Sequence, residues 1–528
     1  MNEQKTTGSY YTPHELVDFM VDYLKNEQQD FQNVLEPAAG DGRFVERLLP
    51  VAGNIDAVEL VENKTTALKN KYENTKVNIF QEDFMEYVGN TSAKYSLIIG
   101  NPPYINAKRI EEQSLQKAKD LCIQVGFKTS VMQNMWIAFV IGACKLLKQY
   151  GTVFFVLPME FLQVQYAEKL RGYLENNFNT IHIICFEEII FKNIEQDICL
   201  VYLTNKKQNT KYILYKQYKN EKERKPLGIN RIQKNKPLQK WSNAILTDEE
   251  LTLLKTKTAS FMSISDIGEI APGVVTGGNK YFILSEDKVK EYQCEDMVLP
   301  IIQKSSFIGK KTVEINDELI KKLIEKGKAV YLLDLAKKEN ELPDKLVEYL
   351  EWAGNQKTDN IKLKERFKCA NRKPWYGVPL VKIGEVVFFK RYDVLPRLYI
   401  NSIHIHTTDA GYHIRIKEGY DAESMAFCFY NSMTLAECEY NGRYYGGGVR
   451  ELVPSEFKRI TIPYKKISKE DIRKFKEMFK NRVSTQAIIA FVNSKILSDK
   501  MTTQEIQQFE NIRLKLIKRR NKERESDM

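Results

Sequence analysis

Apolar runs cut off by polar or glycine-bearing turns divide the first part of this chain into strands. Tyr95-Ser96-Leu97-Ile98-Ile99-Gly100 stops at Asn101-Pro102-Pro103-Tyr104 and predicts a strand ending in a polar, aromatic loop. Val34-Leu35-Glu36-Pro37-Ala38-Ala39-Gly40-Asp41-Gly42-Arg43-Phe44-Val45 reads as a strand end, a small-residue turn and the first turn of a helix. Ile55-Asp56-Ala57-Val58-Glu59-Leu60 reads as a second strand with an acid at its tip, and Val77-Asn78-Ile79-Phe80-Gln81-Glu82-Asp83-Phe84 as a third. Strands joined this way predict an open α/β sheet, which binds nucleotide-like ligands at its carboxyl edge.

The pattern changes past Leu203. Residues 204–240 hold twelve Lys or Arg against two Glu, interleaved with Tyr212, Tyr215 and Tyr218, and apolar periodicity fails after Tyr218. This predicts a basic linker between domains, either a solvated surface or a place to hold phosphates. Ile267 to Leu284, which contains Pro272-Gly273-Val274-Val275-Thr276-Gly277-Gly278-Asn279-Lys280, predicts two short strands around a glycine turn. Val386-Val387-Phe388-Phe389-Lys390-Arg391 predicts a strand with a basic end. Asp471 to Arg482, Thr485 to Leu497 and Thr503 to Ile517 carry apolar residues at helical spacing. The division expected is a catalytic part over 1–240 with the basic linker at its end, a second domain over 241–465 and a helical segment over 466–528.

Composition narrows the setting. A chain of 528 residues exceeds the usual single domain, and a formal net charge of +11 favours a polyanionic partner. Eight cysteines occur without a Cys-x-x-Cys pair and no apolar signal segment opens the chain, so a reduced, cytoplasmic setting is expected. The longest apolar run, Trp136 to Cys144, is far shorter than the ~20 residues of a membrane span, so no membrane partner is expected. His404 and His406 have the spacing of one strand face but no evident third ligand, so no metal site is expected.

The residue types suggest a chemistry. Prolines fix their own φ and hold the preceding residue extended, so the Asn101 amide and the Asn101 and Pro102 carbonyls form a stiff array of acceptors. Two such oxygens can bind both N–H groups of a planar amine, and Tyr104 offers a face for stacking. Glu59 is placed to accept from ribose hydroxyls, Asp83 from an adenine amino group, and Phe84 to pack on that ring. The loop lacks a third glycine and carries Glu36 and Asp41, which would repel a pyrophosphate, so a cationic adenosyl ligand without phosphate fits better. Taken singly, Glu36 also reads as a helix cap, Glu59 as a solvated strand end, Asp83 as a turn residue and Asn101-Pro102 as a turn.

With these residues in this order, the chain resembles the gamma-type N6-adenine-specific DNA methyltransferases of restriction-modification systems, the TaqI-like and Eco57I-like methylases. Gly8-Ser9-Tyr10-Tyr11-Thr12-Pro13 resembles the N-terminal cofactor motif of that group and precedes the Glu36 to Gly42 loop, as the gamma order requires. Asn101 to Tyr104 resembles its catalytic motif, Gly151 to Pro158 its next strand, and Phe186-Glu187-Glu188-Ile189-Ile190-Phe191 the segment whose last aromatic packs on an extruded adenine.

The resemblance implies a Rossmann-like S-adenosylmethionine-dependent domain with a mostly parallel sheet, followed by an α+β target-recognition domain with a helical C-terminal part. It implies cofactor contacts from Tyr10 or Tyr11, Thr12, Pro13, Glu36 (to the methionine ammonium), Pro37, Ala38, Gly40, Gly42, Glu59, Asp83 and Phe84. Asn101, Pro102, Pro103, Tyr104 and Phe191 would serve the target base, and Phe191 alternatively reads as a core aromatic. Thr276, Asn279, Lys280, Arg443 and Tyr444 are expected to face DNA. The expected partners are double-stranded DNA and a separately encoded restriction endonuclease, with the enzyme on the nucleoid when bound.

Other readings share parts of this pattern. An RNA adenine or a protein glutamine amide is also a planar amine, and the long basic second half favours DNA over both. A fused nuclease is disfavoured because few residues precede Gly8 and Pro343-Asp344 is not followed by a Glu-x-Lys at suitable spacing. A DNA-binding subunit with a degenerate cofactor pocket is disfavoured because every expected ligand type is present.

Overall fold

The computed structural model describes residues 11–520 apart from 28, 192–196, 207–209, 211, 235–240, 337–341, 359 and 445–447. The chain divides into two units. The first holds Met1–Leu251, Arg443–Gly448 and Lys518–Met528, and the second Thr252–Gly442 and Val449–Ile517.

The first unit is an α/β sheet. Its elements are α1 (His14–Asn26), β1 (Asn33–Glu36), α2 (Arg43–Leu48), β2 (Asn54–Glu59), α3 (Glu62–Lys71), β3 (Val77–Gln81), α4 (Phe84–Asn90), β4 (Tyr95–Gly100), α5 (Glu112–Gln124), α6 (Met135–Leu146), β5 (Leu147–Pro158), α7 (Glu168–Asn177), β6 (Thr180–Phe186), β7 (Ile198–Thr204), β8 (Tyr212–Tyr218) and β9 (Gly228–Gln233). The order across the sheet is β3-β2-β1-β4-β5-β7-β6-β8-β9. Strands β1 to β5 pair in parallel, β7 runs antiparallel to β5 and β6, β8 is parallel to β6, and β9 is antiparallel to β8. The open α/β sheet expected from the apolar runs is present, with the mostly parallel pairing that the resemblance implies.

The uninterrupted apolar character of β4 follows from its place between β1 and β5, where every one of its residues is buried. Asp56, a buried carboxyl on β2, is satisfied by the Tyr95 hydroxyl at 2.6 Å and the Asn78 amide at 2.8 Å. The Trp136 to Cys144 run is α6, apolar on all sides because it is buried on all sides. Among the described residues no helix is long and apolar enough to cross a membrane. Helix α1 is fixed to the sheet by a polar relay: Lys216 donates to the Tyr23 hydroxyl at 2.6 Å, which lies 2.6 Å from His182 Nδ1. Burial pushes the Tyr23 hydroxyl well above its usual range, so it stays a neutral donor.

Two expectations are corrected, the basic linker and the shared strand face of His404 and His406. The stretch expected as a basic linker forms β8 and β9. Ile213, Tyr215 and Tyr218 are buried on β8, and the lysines among them hid the strand pattern. Several of these cations hold the fold together: Lys234 donates to the carbonyls of Phe178 at 2.7 Å and Asn179 at 2.8 Å. Trp241 likewise belongs to the first unit, its ring 5.5 Å from Phe161 and its indole N–H bonded to Glu175 at 2.8 Å.

The helical C-terminal part forms as expected, with helices Lys469–Lys480, Thr485–Ile496 and Thr503–Arg520 where periodicity places them. Phe475, Phe479 and Phe491 pack on Phe427 and Tyr430 at centroid distances of 5.1 to 5.8 Å, inside the second unit.

The two short strands expected in Ile267 to Leu284 form, but they do not pair with each other. Strands Gly268–Pro272 and Ile283–Leu284 pair with Gly411–Ile416 and Tyr331–Leu333 in two different sheets, with a helical turn Asn279–Phe282 between them. At Gly273 a Cβ would lie 2.2 Å from the Thr408 carbonyl oxygen, so a close backbone approach, and no hairpin, requires that glycine. Val386–Phe389 is a central strand of the five-stranded sheet. His404 lies in a turn at φ 50° and only His406 is on a strand, so the two do not share a strand face.

Phe154, fully buried with Tyr23 and Tyr202 rings at 5.5 and 5.7 Å, tests this packing. Phe154→Ala is expected to lower the unfolding free energy of the first unit by about 3–5 kcal/mol. Leu227→Ser, at a side chain 59 % exposed, is expected to change it by less than ~0.5 kcal/mol. Urea unfolding followed by fluorescence measures both.

Candidate active site

Strand order reverses at β1, whose neighbours are β2 on one side and β4 on the other, so the loops after β1 and β4 leave in opposite directions. The crevice between them is where the motif residues meet. After Glu36 the chain turns through Gly40 at φ 59° and Gly42 at φ 81°, both left-handed. A Cβ on Gly42 would also sit 2.7 Å from a Leu68 methyl, so a side chain there would be strained and would displace Leu68. The loop is pinned from β2: Glu59 accepts from the Gly40 N–H at 2.8 Å and from the Val61 N–H at 2.9 Å.

The segment before α1 closes over this loop. Arg43 donates to the Thr12 carbonyl at 2.6 Å and to Asp41 at 2.8 Å, while Asn101 Nδ2 donates to Thr12 Oγ1 at 3.2 Å. The Tyr11 ring, 40 % exposed, lies over Gly40 and takes Arg43 and Lys64 at 5.2 and 5.4 Å from its centroid. Tyr11, Thr12, Glu36, Ala38, Gly40 and Asn101 thus line one open cleft, together with Ala39, Asp41, Arg43 and Phe44. Pro13 starts α1, and Tyr10 lies outside the described residues. The Pro37 ring abuts Gly100, where a Cβ would come within 3.4 Å, so the ends of β1 and β4 stay close.

Burial dominates the electrostatics. Glu36 is 2 % exposed, and its carboxyl is pushed well above the usual range, first by burial and then by Asp41 and Glu59; the Val45 N–H at 3.2 Å opposes this only in part. A buried carboxyl of this kind keeps its charge at lower cost where a cation pairs with it.

The catalytic-motif residues follow β4 directly. Pro102 is buried, and the half-buried Tyr104 ring packs against the core and donates its hydroxyl to the Val156 carbonyl at 3.1 Å. Phe191 is 6 % exposed and belongs to that core, the alternative left open by its apolar neighbours. Asp83 caps α4 through the Met85 N–H at 2.7 Å and accepts from Ser114; Phe84 is buried 4.7 Å from Phe139. Both stand at the end of β3, outside the lining of the cleft. Arg43 and Asp41 carry much of the geometry and were given no binding role beforehand; their place within and directly after the glycine turn was the available signal.

The residues expected to face DNA are dispersed. Thr276 is 1 % exposed, its hydroxyl donates to Asn279 Oδ1 and accepts from the Gly278 N–H at 3.0 Å, and its carbonyl takes Arg372 at 2.7 Å. Turn formation consumed its polar groups. Asn279 is half-buried as its partner, whereas Lys280 is exposed. Arg443 and Tyr444 form a short strand grouped with the first unit, not with the target-recognition part expected of them; the side chain of Tyr444 lies outside the described residues.

Two family models match this chain. Residues 40–191 match the Eco57I restriction-modification methylase, and residues 238–497 match the C-terminal domain of the type II methyltransferase M.Eco57I. The chain belongs to the Eco57I-type restriction-modification methylase family. The type II methyltransferase M.AccI of Acinetobacter calcoaceticus is 24 % identical over 494 residues, covering 87 % of this chain and 86 % of that protein. The type II restriction enzyme and methyltransferase RM.Eco57I of Escherichia coli is 24 % identical over 286 residues, 49 % of this chain but only 28 % of its own length. Among solved structures, the type IIL restriction-modification enzyme MmeI, determined in complex with DNA, has a TM-score of 0.62 at 11 % identity, covering 98 % of this chain and 80 % of that one. DrdV in a DNA complex has a TM-score of 0.51 at 14 % identity, covering 91 % and 58 %. The match to the Eco57I methylase begins at Gly40, so Thr12 and Glu36 lie ahead of it and join the site through their contacts alone.

Glu36→Gln tests the electrostatics. Because burial raises the Glu36 carboxyl, charging it costs stability as pH rises from the ordinary 4.5 through the folded value. The ligand-free variant is therefore expected to melt higher than wild type at pH 8, with the gain fading as pH falls toward 4.5. Thermal scans across pH read this directly.

Proposed function

We propose that this protein transfers the methyl group of S-adenosylmethionine to the N6 amino group of an adenine extruded from double-stranded DNA, as the modification activity of a restriction-modification system. The observation that carries this reading is the meeting of Asn101 with Thr12 beside Glu36, which puts an amine-binding amide and a cation-seeking carboxyl in one cleft. M.AccI, similar over most of its length, is named a methyltransferase, and MmeI was solved on DNA.

The cleft suits such a cofactor in its donor set. Among the described residues no cation is bonded to the buried Glu36, so an ammonium would lower its proton affinity again and recover the cost of its burial. Glu59 is held at the Gly40 turn, in reach of a ribose by the resemblance, and Tyr11 roofs the loop. Asp83 and Phe84 stand at the adjoining strand end, the side on which an adenine ring would extend. When bound, S-adenosylmethionine supplies an electrophilic methyl on a sulfonium.

The chain's own groups do the rest. Base extrusion costs a few kcal/mol, which stacking on Tyr104 offsets in part. Stacking falls to Tyr104 because the Phe191 ring is buried in the core. The N6 amine is a poor nucleophile while its lone pair is delocalised into the purine. Acceptance of its two hydrogens by the Asn101 side-chain oxygen and the Pro102 carbonyl draws the nitrogen toward tetrahedral geometry and localises that pair. As the amine gains positive charge, the same oxygens and the Tyr104 face stabilise it. No strong base is needed, since the proton becomes acidic only once the new N–C bond has formed and then leaves to solvent. The Tyr104 hydroxyl, raised well above its usual range by burial and committed to Val156, positions the ring and takes no proton.

Incubation with methyl-labelled cofactor and, separately, duplex DNA, RNA and protein discriminates the substrate classes. Label in duplex DNA as N6-methyladenine, without double-strand breaks, is the expected result; label in RNA or in glutamine amides overturns it. Asn101→Ala is expected to abolish methylation while cofactor affinity changes less than about fivefold, since the change removes acceptors for the amine and leaves Glu36 and Glu59 in place. Unchanged turnover in that variant would remove Asn101 from the mechanism.

A further inference from the structure

Most of the second unit's aromatics and several of its cations are turned inward, which makes one exposed turn stand out. Phe367 is 77 % exposed, the most exposed large apolar side chain among the described residues. It opens the short helical turn Phe367–Ala370, directly after the 3-10 turn Leu363–Glu365. The turn is rigidly seated. Leu363 and Cys369 are fully buried, Arg366 donates to the Gly277 carbonyl at 3.3 Å, and Arg372 donates to the carbonyls of Val275 and Thr276 at 2.6 and 2.7 Å. Gly277, at φ 83°, lies so close that a Cβ there would meet Lys368 Cβ at 3.1 Å. The turn and the 275–280 loop therefore form one surface.

That surface is cationic around its aromatic tip. Lys364, Lys368 and Lys280 are exposed, and Lys368 Nζ sits 5.7 Å from the Phe367 ring. The acid within the turn, Glu365, is also exposed and accepts from the Lys362 N–H at 3.4 Å. Trp352, 52 % exposed, adds a second aromatic 6.2 Å from Tyr281, next to Lys280. A lone exposed phenylalanine needs no explanation. A rigid one, flanked by lysines on a turn whose arginines are spent on holding it in shape, has the composition of a nucleic-acid contact: cations for phosphates and an apolar face for base or sugar.

We propose that the Phe367 turn, and not Thr276, is a DNA-contacting element of the second unit, with Phe367 packing into a groove or against a base step and Lys280, Lys364 and Lys368 neutralising phosphates. This rests on DNA being the substrate, as proposed above. The two kinds of contact differ in salt dependence. Each neutralised phosphate contributes roughly 0.9 to the slope of log affinity against log salt, whereas an aromatic contact contributes affinity without slope.

The test measures duplex binding by anisotropy across salt concentrations, and methylation kinetics on unmethylated bacteriophage genomic DNA, for wild type, Phe367→Ala and the double variant Lys364→Ala/Lys368→Ala. Phe367→Ala is expected to raise Kd and KM for DNA by about fivefold or more at an unchanged slope. The double lysine variant is expected to flatten the slope by roughly 1–2. Both should keep wild-type Tm, kcat and cofactor affinity, since the three side chains are exposed. Wild-type DNA affinity and slope in both variants would overturn the proposal while leaving the DNA reading intact. Failure of the wild-type protein to bind or methylate any duplex would sink the DNA reading, and this proposal with it.

Discussion

The reversal of strand order at β1 is the constraint on which the first unit's site depends. Because β2 and β4 flank β1 on opposite sides, the turn after β1 and the loop after β4 cannot close over each other, and a crevice is left at the carboxyl ends. Each loop is stiff for its own reason: left-handed glycines and a carboxylate clamp from Glu59 in one, paired prolines in the other. The crevice would still lack a roof without Thr12. One residue there, held by Arg43 through its carbonyl and by Asn101 through its hydroxyl, ties the chain before α1 to both loops.

Burial, more than net charge, sets the electrostatics of that crevice. Glu36, Asp41 and Glu59 gather within a chain of net charge +11, and the cation closest to hand, Arg43, is turned to Asp41, to Thr12 and over Tyr11. The result is a cleft lined by carboxylates inside a protein whose overall charge is positive. The two coexist because screened surface charges are spread over the whole molecule, while a buried carboxyl acts locally.

Counting cations therefore says little about where a polyanion binds. Lys216 serves a tyrosine relay, Lys234 caps two carbonyls, Arg372 holds the 275–276 backbone, and Arg450 forms an ion pair with Glu439 in which both side chains are almost wholly buried. Those groups have spent their charge on the fold, and the arginines at 366 and 372 do so in order to hold an exposed lysine-flanked turn in shape. In the second unit as in the first, the residues that position a surface are distinct from those that present it.

Local residue order alone determined the strands that end at Glu36, Glu59 and Gly100, the glycine turn, the stiff Asn101 to Tyr104 loop, the three C-terminal helices and the family they belong to. These were legible because a turn's geometry is set by its own prolines and glycines and a helix by its own periodicity. Tertiary structure alone decided that the basic stretch after Leu203 would be sheet, since its buried face is defined by α1 and β6 and not by its neighbours in sequence. It also decided that Thr276 is buried while Phe367 is not, and that Thr12 meets Asn101 across 89 residues of chain. Exposure and long-range partnership are properties of packing, and no window of sequence contains the atoms that pack.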